Sequence, residues 1–283
     1  MVNFLKYKWL YFLLSFTIIA AGLYSIFTWG YTYSVEFTGG SNIVLKLSKK
    51  IERNKVRKIL EKNGIEVKEI KIQDKTLLLK TKELNENQIK KIEKILKAKV
   101  DRVEIVGPSI GEDLKRKTFI AAALSVAAIL LYISFAFKSF NFALAAILAA
   151  IHDSLILFGT YSILSKIFGF EFDTLFVSAV LTTLSFSVHD TIVVFDKIRE
   201  YKKEYGEADL EYYANKALTE TMVRSVNNSL TIIFMLVALL VFGGNTIKNF
   251  VWALLIGTIS GTYSSPFIAT PLAVILEKRK AKK

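Results

Sequence analysis

Six long apolar blocks limit what this chain can become. They occupy residues 9–29, 119–137, 140–163, 175–195, 226–242 and 251–276. A hydrocarbon core about 30 Å thick takes about 20 residues of helix to cross, and the blocks reach or approach that length. In lipid no backbone N–H or C=O can turn to water, so such a segment satisfies its own polar groups as a helix. The fold class expected is an α-helical polytopic membrane protein with six transmembrane helices. Composition agrees, with 52% hydrophobic residues in 283. The first block is too long for a signal-peptide core and lacks a small-residue cleavage site, so it reads as a retained anchor. The chain has no cysteine, which excludes disulfides and thiolate chemistry.

Lys and Arg in the short loops set the orientation. Lys197, Arg199, Lys202, Lys203 and Lys216 follow the fourth block, and Lys278, Arg279, Lys280, Lys282 and Lys283 form the tail. The loops at 164–174 and 243–250 carry one basic residue each, Lys166 and Lys248. Both termini of this cell-membrane protein are therefore expected in the cytoplasm and residues 31–117 outside. The expected organisation is a cytoplasmic N-terminus and first span at 1–30, an extracytoplasmic domain at 31–117, a five-helix bundle at 118–276 and a basic tail at 277–283.

The external segment has its own alternating pattern. Ile43, Leu45 and Leu47 read as a strand. A helix through Val56, Ile59 and Leu60 stops at Asn63-Gly64, and strands at 67–72 and 76–80 flank a Gln73-Asp74-Lys75 turn. Asn85 with Gln88 three residues on opens a second helix with a capping box, and Val103 and Ile105 suggest a last strand. The order β-α-β-β-α-β predicts a ferredoxin-like α+β domain between the first and second spans. Its 22 Lys and Arg outnumber 13 Asp and Glu. Nucleic acid is excluded as a partner, because no aromatic residue between Phe37 and Phe119 is available to stack on bases. A solvated surface is the plainer reading of that charge, and the lipid bilayer or acidic stretches of an unfolded chain stand beside it as partners.

Asp190 is the residue that points to function. It interrupts an otherwise chargeless span, where an ionised carboxylate costs on the order of 3 kcal/mol and marks an ion or proton pathway. Ser187 and Thr183 precede it by three and seven residues, so the three polar groups share a helix face. Such a stripe belongs against other helices or water. His152-Asp153 lies within the third span, with His152 expected on a different face and no partner evident for Asp153. His189 adjoins Asp190. Arg224 opens the fifth span, followed on its helical face by Asn228. Gly257 and Gly261 in the sixth span permit close helix approach, and Pro266 marks a kink there.

Three motifs carry a resemblance. VEFTGGS at 35–41, SVHDTIVVFDKIRE at 187–200 and Arg224-Ser225 resemble SecF, the smaller partner in the SecD/SecF family of protein-export membrane proteins, within the resistance–nodulation–division superfamily. His189 stands where bacterial members usually carry Asn, which suggests an archaeal-type protein. Glu36 stands where the family often has Asp. The resemblance implies a subunit that assists Sec-dependent translocation using the proton gradient or another cation gradient. Its partners would be a separate six-span SecD-like subunit, the SecY translocon and unfolded preprotein. Asp190 would be the protonatable carboxylate and Arg224 its basic companion. Asp153 and His189, read from the spans themselves, are further pathway candidates, with a structural role for Asp153 and a hydrogen bond from His189 to another helix as the alternatives. Glu36, Phe37, Gly39 and Gly40 would form the family's turn after the first span.

Duller readings stand beside these. Asp190 could be a structural pair with Arg224 or an Asn, and the chain a non-conducting structural subunit of the translocon. It could also be half of a small-molecule exporter of the same superfamily. Neither a cofactor nor a metal is expected. Two His-Asp doublets invite a metal-dependent hydrolase, but that chemistry wants more converging ligands than the two histidines supply, so no enzyme is expected.

Overall fold

The computed structural model describes residues 2–48, 51–73, 75–136, 139–206, 209–244 and 247–281. Asp74 of the expected turn, Phe137 at the end of the second block, the side chain of Lys280, and Lys282 and Lys283 lie outside the described residues. In chain order a 3-10 turn (Phe4–Tyr7) leads into α1 (Lys8–Trp29), β1 (Thr32–Tyr33), α2 (Val35–Thr38), β2 (Gly40–Leu47), α3 (Arg53–Lys62), β3 (Val67–Gln73), β4 (Thr76–Thr81), α4 (Glu86–Leu96) and β5 (Ala98–Val106). Then follow α5 (Pro108–Ala136), α6 (Phe140–Phe168), β6 (Glu171–Phe172), α7 (Thr174–Tyr205), α8 (Leu210–Phe242), α9 (Lys248–Ser264), a π-turn (Ser265–Ala269) and α10 (Thr270–Ala281). The chain divides into two compact units, one of residues 1–32 with 121–283, the other of residues 33–120.

Among the described residues, six helices are long and apolar enough to cross a membrane. The sixth is α9, the π-turn and α10 taken together. Pro266 and Pro271 bracket the irregularity. Neither has an N–H to give the preceding turn, and the backbone answers with an i→i−5 bond from Thr270 N to Ser265 O. The Thr270 hydroxyl caps the same carbonyl at 2.9 Å.

Small residues decide how closely the inner helices pack, because lipid supplies no hydrophobic drive between them. The buried face of α6 is built on Ala143, Ala145, Ala146, Ala149 and Ala150. Gly22 of α1 meets Gly159 of α6 so closely that a Cβ on Gly22 would stand 2.7 Å from Gly159 Cα. One turn on, Ser25 and Ser162 share a 2.8 Å hydrogen bond across that seam. Likewise α9 lays Gly257 against Thr183 and Gly261 against Ser187 of α7. The spans α6, α7 and α9–α10 therefore form the inside of the bundle, with half or more of their apolar windows buried. By contrast α1, α5 and α8 present most of their length outward, including Phe16, Phe27, Leu124, Phe135, Phe234 and Phe242. At one end Glu277 of α10 holds Asn141 of α6 at 2.6 Å and Lys202 of α7 at 3.0 Å.

The second unit contains a four-stranded antiparallel sheet in the order β3-β4-β2-β5. One face buries Ile43, Leu45, Leu47, Ile70, Leu77 and Leu79 under Val56 and Leu60 of α3 and Ile92 and Leu96 of α4. Alternation along β2 puts Asn42, Val44 and Lys46 on the opposite face. The helix opening at Asn85 carries a reciprocal capping box, with Gln88 N on Asn85 Oδ1 at 2.9 Å and Asn85 N on Gln88 Oε1 at 3.0 Å. On the sheet's other face Lys80 is 5% exposed. Glu69 lies 3.1 Å from it and 3.2 Å from Lys71. Burial pushes the Glu69 carboxyl up, but the two ammoniums outweigh that and hold it below the usual carboxylate range.

Candidate functional site

The polar groups of the inner helices gather into two adjoining places. The first is a crevice of about 310 Å³, counting the open space at its mouth, between α7, α8 and α9. Asp190 and Ser187 line it from α7, Asn228 and Ser229 from α8, and Thr258 and Thr262 from α9. Asp190 is half-buried on this wall. Ser225 Oγ of α8 donates to its Oδ2 at 2.5 Å. A second hydroxyl pair, Thr262 Oγ1 on Ser229 Oγ at 2.7 Å, ties α8 to α9 beside it.

Arg224 lies next to Ser225 and is exposed. Its charge acts on Asp190, yet among the described residues the short contact belongs to Ser225, and no ion pair joins the two. In the Arg224-Ser225 motif only the guanidinium has an expected role, whereas the structure gives the contact to the serine. Asn228 is exposed at the crevice mouth, and His189 points outward. Thr183 is buried, but its hydroxyl turns back to Val180 O at 3.1 Å and its methyl packs on Gly257, so it shapes the helix contact.

The second place surrounds Asp153, which is 5% exposed. Ser187 Oγ of α7 donates to Asp153 Oδ2 at 2.5 Å and Ser264 Oγ of α9 to the same oxygen at 2.6 Å. Ser260 Oγ of α9 donates to Oδ1 at 2.7 Å. The expectation that Asp153 has no evident partner is thus corrected, because three hydroxyls from two other helices converge on it. His152 does not face away either. Its Nδ1 lies 3.1 Å from Asp153 Oδ1, and its ring stacks on Tyr263.

The motif at residues 36–40 does different work. Val35–Thr38 forms the short helix α2, with Phe37 buried and Glu36 half-buried. Gly39 at φ 66° and Gly40 at φ 128° take conformations closed to other residues. A Cβ on Gly39 would stand 2.7 Å from Pro108 Cα, and one on Gly40 2.5 Å from Thr81 O. These glycines let the chain pass β4 and the start of α5 at backbone contact.

A six-span helical bundle with a carboxylate in a polar crevice and a small sheet unit after the first span is a distinctive combination. Residues 85–279 match the model of the family described as protein export membrane protein SecD/SecF, C-terminal. The chain belongs to the SecD/SecF family. It is 40% identical to the protein translocase subunit SecF of Thermobaculum terrenum, over 99% of this chain and 95% of that one. Against the SecF of Anaerolinea thermophila it is 33% identical, covering 98% and 94%. The crystal structure of SecDF from Thermus thermophilus, titled a translocon-associated membrane protein, superposes with a TM-score of 0.88 at 33% identity. This chain covers 39% of that SecDF chain and is itself 98% covered. With these relatives, the six apolar helices make the protein a multi-pass membrane protein. The archaeal-type expectation is corrected, since these relatives are bacterial. A single residue, His189, carried that inference, and as an exposed side chain outside the crevice it is weakly constrained.

Proposed function

We propose that this protein is the SecF subunit of a SecD/SecF complex that assists Sec-dependent protein translocation, using a proton or other cation gradient through Asp190. The observation that carries the reading is the placement of Asp190, an ionisable group in an apolar span that faces a polar crevice between three helices. A lipid-facing carboxylate would have no access to water, and a fully enclosed one could not exchange its cation.

In this reading Ser225 holds the carboxylate in place, and Arg224 adds a positive charge at the neighbouring position of α8. A cation arriving through the crevice neutralises Asp190 and releases it from α8. One elementary charge crossing 100 mV supplies about 2.3 kcal/mol, enough to bias a two-state arrangement of helices. The relatives' names support the assignment to protein translocation, and the fused SecDF supports a SecD-like partner. SecY and unfolded preprotein complete the partners. Both termini lie in the cytoplasm and residues 31–117 outside, as a ferredoxin-like domain joined through α1 and α5 to the bundle. The protein is not an enzyme.

The test is export of a secreted reporter in a strain depleted of its own SecF and supplied with Asp190→Asn. Loss of gradient-dependent export at normal protein level supports the reading. Wild-type export by the variant leaves a non-conducting structural subunit.

A further inference from the structure

Two polar sites that adjoin without merging raise the question of how they communicate. Among the described residues, Ser187 alone both lines the Asp190 crevice and hydrogen-bonds to Asp153. Its partners on the same carboxylate, Ser260 and Ser264, do not line the crevice. Gly261 opposite Ser187 keeps the space small, because a Cβ there would stand 3.0 Å from Ser187 Cβ.

The chemistry of the Asp153 surroundings is unusual for a merely structural carboxylate. A buried charge normally sits beside a fixed cation or takes backbone N–H groups, which donate only and lock the ionised form. Here three serine hydroxyls do the work, and a hydroxyl donates to a carboxylate or accepts from a carboxylic acid by rotating. The titratable groups facing Asp153 are few. His152 is its neighbour on α6, and Tyr263 of α9 stacks on His152 while its own hydroxyl goes to Tyr11 O of α1 at 3.0 Å. Asp190 lies one turn beyond Ser187 on α7, and Arg224 of α8 acts on Asp190. The polar lining of the crevice is suited to water. Thr258 Oγ1 is buried on its wall without a hydrogen-bond partner in the protein, and Thr258 is 5% exposed.

We propose that Asp153 is a second proton-holding carboxylate, reached from the Asp190 crevice through the Ser187 hydroxyl. A hydronium ion in the crevice gives a proton to Ser187 Oγ as Ser187 passes its own proton to Asp153 Oδ2. One O–H bond breaks on the hydronium and one on Ser187, and one forms on each of Ser187 and Asp153. The incoming positive charge neutralises the carboxylate, water is left behind, and no electrons change hands. Rotation of the Ser187 hydroxyl resets the relay, Ser264 stops donating to Oδ2 once that oxygen carries the proton, and Ser260 keeps donating to Oδ1. The device rests on the proposed reading of Asp190 as the cation entry point.

The test uses the full chain with its SecD-like partner in lipid vesicles, followed by infrared spectroscopy on transfer to heavy water. The carboxylic-acid band of Asp153 is identified by its loss in Asp153→Asn. In Ser187→Ala, hydrogen–deuterium exchange of that band is expected to slow by about 10²-fold or more, the usual contribution of a placed proton-transfer group. Ser260→Ala removes a bond to the same carboxylate, and Ser260 neither hydrogen-bonds to Ser187 nor lines the crevice, so its exchange stays near wild type. Exchange unchanged in Ser187→Ala, equal slowing in both variants, or the absence of any Asp153 acid band at every pH the folded protein tolerates overturns the relay. If Asp190→Asn abolishes gradient-dependent export while Ser187→Ala leaves exchange unchanged, only the relay falls. If Asp190→Asn exports normally, the underlying reading falls.

Discussion

Replacing Gly22 by Ala measures how much of the bundle depends on one backbone contact. The added Cβ would lie 2.7 Å from Gly159 Cα, whereas carbon atoms rest at about 3.5–4.0 Å. Gly159 is backbone at that point and has no side chain to move aside, so α1 and α6 must part by about 1 Å. That displacement stretches the Ser25–Ser162 bond, now 2.8 Å, past useful length. An interhelical hydrogen bond in a membrane is worth about 0.6 kcal/mol, reaching about 1.7 at most. Overpacking adds about 1–3 kcal/mol. The steric part therefore dominates, and the sum is about 2–4 kcal/mol. Reversible unfolding in mixed micelles reads it directly, with Ser25→Ala as the control for the hydrogen bond alone. Gly159→Ala should cost a similar amount, because its Cβ would stand 2.6 Å from Gly22 Cα. The double variant should cost less than the sum, since helices already parted by one methyl make room for the other. Gly22→Ala within about 0.5 kcal/mol of wild type refutes the close-packed seam.

Other parts of the structure give their own tests. Asp153→Ala strands three hydroxyls on α7 and α9 and should destabilise by about 3 kcal/mol, whereas Ser260→Ala removes one of three donors and should cost about 0.6 kcal/mol in the same unfolding assay. Glu69 has a lowered folded-state pKa, so its stabilisation is present above the unfolded value of about 4.3 and fades as pH falls through the folded one. Protection of the β3 and β4 amides, the intrinsic exchange rate divided by the observed one at each pH, should accordingly fall on acidification in that range, and Glu69→Gln should flatten the dependence; an unchanged pH profile in the variant contradicts the Lys80–Glu69 assignment. Asn85→Ala removes the side-chain half of the capping box, leaving the backbone N–H of residue 85 on Gln88 Oε1, and should cost about 1 kcal/mol, visible as faster exchange in the first turn of α4 and nowhere in the bundle.

The six spans were legible in the sequence because length and apolarity alone define them. The sheet unit was legible because Ile43, Leu45 and Leu47 alternate and because Asn85 and Gln88 stand at capping-box spacing. The Asp153 site was not, since its partners Ser260 and Ser264 lie 107 and 111 residues away on another helix. A signal did exist. Gly257, Gly261, Ser260 and Ser264 repeat at four-residue spacing and mark small, polar-capable faces of α9. Which helix those faces meet depends on packing, and no single-sequence pattern encodes it. Ser225 was hidden differently, because the eye goes to the charge of Arg224 although the shorter hydroxyl beside it makes the contact. The resemblance to SecF was carried by the run around Asp190, where the residues must serve the crevice. The wrong inference of an archaeal type rested on His189, which does not.

Cation movement through Asp190 is the centre of this account, and flux is its most direct measure. The full chain and its SecD-like partner are placed in vesicles holding a pH-sensitive dye, a gradient is imposed, and wild type is compared with Asp190→Asn. Dye response in the wild type that disappears in the variant, with both proteins folded and assembled, is the predicted result. Equal flux in the two contradicts it.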